Sequence, residues 1–223
     1  GSGAAVVDAF ASLSTVDLKV QDDLTVTDDV SVGGTINGTG ISSGISNFAR
    51  SILISQDAGT GTLNSAEDNT GLGFDVFNSL TGGDFNTAIG AYSMENATTA
   101  QQNTAVGYET LEALTTGEGN AVLGMRAGEA ISTGTYNTFL GLQAGLNTTT
   151  VSNNVAVGKN ALLANSTGAS NTAIGTEALD ANTTASFNTA VGRQSLTANT
   201  TGASNSALGY ASLFSNTTGG SNT

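Results

Sequence analysis

Residues 171–188 read NTAIGTEALDANTTASFN, and residues 188–205 read NTAVGRQSLTANTTGASN, so nearly the same phrase returns after seventeen residues. The count is strict: Asn69, Asn86, Asn103, Asn120, Asn137, Asn154, Asn171, Asn188, Asn205 and Asn222 are all seventeen apart. Nine units therefore run from Asn69 to Ser221, and a tenth opens with Asn222-Thr223. The fifth position is Gly in every unit: Gly73, Gly90, Gly107, Gly124, Gly141, Gly158, Gly175, Gly192 and Gly209. The fourth is always Leu, Ile or Val, and the thirteenth is always Thr or Ser. Self-similarity at a short fixed period marks a stacked array of repeats.

Composition narrows the chemistry. The 223 residues include no Cys, which removes disulfides and thiolate metal sites, and no His, which removes the commonest general base and zinc ligand. Only 10% of residues are charged, yet the net charge is −13. Nucleic acid and anionic membranes need a Lys/Arg surface, so both are disfavoured as partners. No apolar run reaches membrane-spanning length. The opening GSGAAVVDAFASLS lacks the basic region and long apolar stretch of a secretory signal.

Four regions follow from pattern. Residues 1–16 are a short N-terminal segment. Residues 17–40 carry a six-residue period, with Leu18/Val20, Leu24/Val26 and Val30/Val32 separated by Asp22-Asp23, Asp28-Asp29 and Gly33-Gly34. Alternating apolar triplets with turn residues between them predict a narrow β stalk. Residues 41–68 form a neck, in which SNFARSILIS fits a helical turn or a strand. Residues 69–223 are the array.

Asn, Gly and Thr-rich NTTG segments make poor helix interiors and good turns. The expected fold is all-β: a parallel β-solenoid with one seventeen-residue coil per unit, two short strands and two turns in each. Coils spaced about 4.8 Å apart would give nine coils a length of roughly 43 Å. Gly at position five suits positive φ or close backbone approach. Asn at position one suits an amide ladder between coils. In N-T-A-V-G the third and fourth residues face opposite sides and both are apolar. A strand apolar on both faces is usually buried on both. One face fills the coil and the other wants another chain, so a homotrimer is expected.

These residues carry a resemblance. NTAIG, NTAVG and NSALG followed by ALxANTTG resemble the head repeats of trimeric autotransporter adhesins and, more closely, longer variants in tail fibres of marine bacteriophages. It covers residues 69–223; the stalk resembles phage fibre shafts more weakly. It implies a trimeric parallel β-roll, an extracellular place on a virion or cell surface, attachment to a cell, and no catalysis in the roll. No cofactor or metal is expected.

The sharpest chemical candidate is a carboxylate rank: Glu95, Glu112 and Glu129 share position ten of consecutive units, with Glu109 and Arg126 at position seven nearby. Carboxylates at about 5 Å suit retaining glycosidases or a cation; a solvated coil edge is the plainer explanation. The stalk Asp pairs lack the graded spacing of a calcium loop. Asn147, Asn182 and Asn199 head glycosylation-type triplets that the turn chemistry already explains. Phe85, Tyr136 and Phe187 at position seventeen suit exposed sugar stacking or, more plainly, corner packing between coils. The expected function is a structural and adhesive fibre segment. A bacterial adhesin or filament subunit is the alternative, then an ice-binding solenoid using Thr87, Thr104, Thr138, Thr172 and Thr189, then a polysaccharide depolymerase.

Overall fold

The computed structural model describes residues 40–43, 52–55 and 65–223, so the stalk expected over 17–40 lies, but for Gly40, outside the described residues. Contacts divide the chain into Gly1–Gly33 and Gly34–Thr223, and all described residues belong to the second unit. They form one eleven-stranded sheet in sequential order. Strand β1 (Gly40–Ser43) pairs antiparallel with β2 (Ile52–Ser55), and β2 pairs parallel with β3 (Thr70–Leu72). The repeats supply β3, β4 (Thr87–Ile89), β5 (Thr104–Val106), β6 (Ala121–Leu123), β7 (Thr138–Leu140), β8 (Val155–Val157), β9 (Thr172–Ile174), β10 (Thr189–Val191) and β11 (Ser206–Leu208). Each pairs in parallel with the strand one repeat away, Thr87 on Thr104 and Ala88 on Ala105 for example. The array is a parallel β-solenoid of seventeen-residue coils, with no helix among the described residues. The sheet begins before the repeats, because SILIS supplies β2 and Leu53 joins the core.

Each coil holds one three-residue strand, not the two expected. The second apolar segment, positions six to eleven, is built from turns. Its positions seven and nine take left-handed φ, as at Tyr92 (59°) and Met94 (51°), or Glu177 (60°) and Leu179 (51°). Left-handed backbone is unfavourable for such residues. It persists because the segment still bonds to both neighbours: Tyr92 N donates to Phe74 O, and Met94 N donates to Thr110 O. Stacking satisfies the backbone that a strand would otherwise satisfy, and so overrides local preference.

The invariant glycines do what their pattern suggests. Gly124 has φ of 139°, and a Cβ there would lie 2.3 Å from Gly141 O of the next coil. No larger residue fits without moving backbone.

The asparagines form the expected ladder. Asn86 N and Nδ2 donate to Asn69 Oδ1 at 2.9 and 3.0 Å, while Asn86 Nδ2 also donates to Ala100 O at 2.8 Å. The N-to-Oδ1 bond recurs at each step to Asn222. The thirteenth-position hydroxyls form a second rank and donate across coils rather than locally, as Thr98 Oγ1 does to Thr115 O at 3.0 Å.

Inside each coil lie positions three, eight, nine, twelve and fifteen, many of them fully buried. One size exchange stands out. Most coils pair a small third residue with a large ninth, such as Ala105 with Leu111. The fifth coil reverses this: Phe139 takes position three, and Gly145 takes position nine. A Cβ on Gly145 would lie 2.3 Å from the Phe139 ring, so the ring occupies the volume a leucine fills elsewhere.

Candidate functional site

Two surfaces hold candidate chemistry. The first is the turn segment of the early coils. Glu109, Glu112 and Glu129 bring carboxylate oxygens within 4.8 Å of one another. Glu95, the first member of the expected rank, is not in that cluster. Arg126 Nε donates to Glu129 Oε2 at 2.5 Å and Nη2 to Glu129 Oε1 at 3.0 Å, a two-pronged pairing. Arg126 Nε also lies 3.3 Å from Glu109 Oε2. Burial holds the Glu112 carboxyl above its ordinary range, and repulsion from Glu109, Glu129 and Glu95 adds to the shift. The hydrogen bonds that Arg126 donates to Glu129, then the charge of that carboxylate, raise the Arg126 pKa. The three sets of carboxylate oxygens are close enough to suit a cation. Arg126 already neutralises much of the charge a cation would.

Aromatic rings run beside this cluster. Phe74 meets Tyr92 edge-on at 5.3 Å, and Tyr92 meets Tyr108 at 5.8 Å. A hydrogen bond to Glu109 holds the Tyr108 hydroxyl above its ordinary pKa. Phe85, Tyr136 and Phe187, expected to pack at coil corners, are instead largely exposed, at 56%, 55% and 66%. They share the left-handed φ found at position seventeen of every coil. Tyr136 lies over Gly119 of the preceding coil and donates to Glu118 at 2.5 Å. Asn147 is exposed, whereas Asn182 and Asn199 are fully buried and closed to modification.

The second surface is the outer face of the sheet. Position three points inward along the whole ladder, so positions two and four point out. This exposes a file of aliphatic side chains, Leu123 at 47% and Leu140 at 44% among them, beside a file that is mostly threonine. A groove of about 270 Å³ crosses it, lined by Thr104, Val106, Leu123, Thr138, Leu140 and Val157. The groove forms where Ala121 replaces the threonine of other coils. The alternation of N-T-A-V-G foretold the two-sided strand. The groove was missed, although the Ala at 121 in a threonine column was its signal. No protein-family model, curated protein or solved structure matches this chain.

Proposed function

We propose that this chain is a structural and adhesive fibre segment, a phage tail fibre or comparable appendage, in which three copies assemble side by side. It stands outside the cell, on a virion or a cell surface, and meets a receptor or glycan on its host. The observation that carries this reading is the uninterrupted tie between coils. Every repeat is bonded to the next through the same asparagine step, from Asn69 to Asn222. A load along the solenoid axis is therefore shared by backbone and side-chain bonds at every level. Stiffness and reach are what an attachment fibre needs, and they require no catalytic group. The resemblance of the NTAIG-type repeats to phage fibres and adhesin heads points the same way. The open apolar face of the sheet supports assembly with copies of the chain, since faces of this kind are normally covered.

Immunogold electron microscopy with antibodies to residues 69–223 tests the reading. Label on fibres of phage particles is the expected result. Label on bacterial envelopes would favour the adhesin alternative, and label on neither would overturn both.

A further inference from the structure

We infer that the outer face of β3 to β11 is the surface on which the other copies of this chain dock, the sheets of the assembly facing a common centre. This rests on the assembly clause of the proposed function and adds where the copies meet. Charge is the first argument. Residues 69–221 contain twelve charged side chains, and all lie at positions six, seven, ten or sixteen. Positions one to five hold none in any of the nine coils. Positions eleven to fifteen are equally free of charge, but only the strand face adds a file of exposed aliphatic side chains, such as Leu123 and Leu140, to that depletion, which marks the centre of protein interfaces.

Desolvation is the second. The strand amides and carbonyls are already spent within the sheet, as in Thr87 N to Asn103 O at 2.8 Å. Covering the face strands no backbone group and asks only the threonine hydroxyls to find partners. Area is the third. Nine coils with strand and flanking residues span about 43 Å by 17 Å, on the order of 700 Å². That approaches the roughly 800 Å² per partner of a stable interface. The flanks are rich in exposed aromatics, with Phe187 at 66% on one side and Tyr210 at 71% on the other.

A copy fits better than ice or a hydroxyl-rich polymer. A surface that matched either through threonines needs an unbroken rank, and position two is broken by Ala121 and Val155. Ala121 lies in the groove, and both changes enlarge the apolar area, which favours a protein partner with side chains to insert. An identical chain repeats at the same coil spacing and so matches along the full length.

The chain has no Cys, so one introduced thiol reports on one place. Thr138→Cys on this face and Thr133→Cys on the exposed fourteenth-position file are each treated with a short bis-maleimide. At least tenfold more crosslinked dimer from Thr138→Cys is expected. In parallel, Leu123→Glu/Leu140→Glu should lower the solution mass to the 22.0 kDa of one chain, while Thr116→Glu/Thr133→Glu should not. If the first pair fails to fold by circular dichroism, the crosslinking result alone decides. Crosslinking from Thr133→Cys but not Thr138→Cys would overturn the docking face and leave assembly intact. So would an unchanged mass for folded Leu123→Glu/Leu140→Glu. Wild-type protein at the mass of one chain would overturn both.

Discussion

The first four coils and the last four share a backbone but not an interior. At position twelve the early coils carry Leu80, Ala97, Leu114 and Ile131, all fully buried. The late coils carry Asn165, Asn182, Asn199 and Asn216 in the same column. These form a second amide ladder: Asn182 Nδ2 donates to Asn165 Oδ1 at 2.9 Å, Asn199 to Asn182 at 3.2 Å and Asn216 to Asn199 at 3.0 Å. The early half is therefore held by apolar burial around one ladder, and the late half by two ladders around a thinner apolar core. The two ladders also compete. In the early half the fifteenth-position carbonyl accepts from the first-position Asn, as Gly134 O does from Asn120 Nδ2 at 2.9 Å. In the late half the new Asn claims it too. Gly168 O is taken by Asn165 and Gly202 O by Asn199, and Asn154 Nδ2 and Asn188 Nδ2 are left buried without a partner. In the seventh and ninth coils Ala185 O and Gly219 O accept from both asparagines, so one coil architecture tolerates an oily or an amide rung, and the amide rung orphans a donor in two of the four late coils.

Substitution in the early half should have the largest effect. Leu114→Asn places a lone amide among Leu80, Ala97 and Ile131, with no Asn above or below to receive it. A loss of about 3–5 kcal/mol is expected from the cavity and the unpaired polar group together, read by chemical denaturation. The reverse experiment is milder. Asn182→Ala removes a middle rung, leaving Asn165 Oδ1 without its cross-coil donor and Asn199 Nδ2 without its cross-coil acceptor. A loss of about 1–3 kcal/mol is expected, with faster amide exchange confined to coils six to nine. Equal exchange in coils one to four would show that the halves are not distinct.

The joint between the halves should gain. Thr148 occupies position twelve of the fifth coil, fully buried, and its Oγ1 has no partner. Val is nearly the same shape and has no hydroxyl to strand. Thr148→Val should stabilise by about 1 kcal/mol, read as a raised unfolding midpoint.

The smallest effect concerns pH and belongs to the early half. Burial and like charge hold the Glu112 carboxyl above its ordinary range. A carboxyl raised on folding favours the fold while protonated. That contribution is present below its ordinary pKa and is lost as pH rises through the raised value. Glu112→Gln should therefore flatten the fall in stability across that acidic window, and added salt should shrink the difference. The late coils should show no change.

Much of this was legible in the sequence. Asn at one, Gly at five and the Ala-aliphatic pair between them gave the ladder, the close approach and the two-sided strand. The second strand expected in each coil does not form, because the segment after the glycine is a run of turns. Leu179 and its equivalents instead take left-handed φ, and only bonds to neighbouring coils hold them there. No local propensity encodes a conformation enforced by stacking. Shared position places Glu112 and Glu129 together, and the turn brings Glu109 of position seven beside position ten, as the spacing of these residues suggests. The change of interior at position twelve stood in the column itself, where Leu, Ala, Leu and Ile give way to Thr and then Asn.

The most direct measurement is the molar mass of the chain in solution, by light scattering behind a sizing column. Three-chain assembly through the apolar sheet face predicts a mass near three times 22.0 kDa. A mass of 22.0 kDa would contradict it and leave a solenoid that stands alone with its apolar face in water.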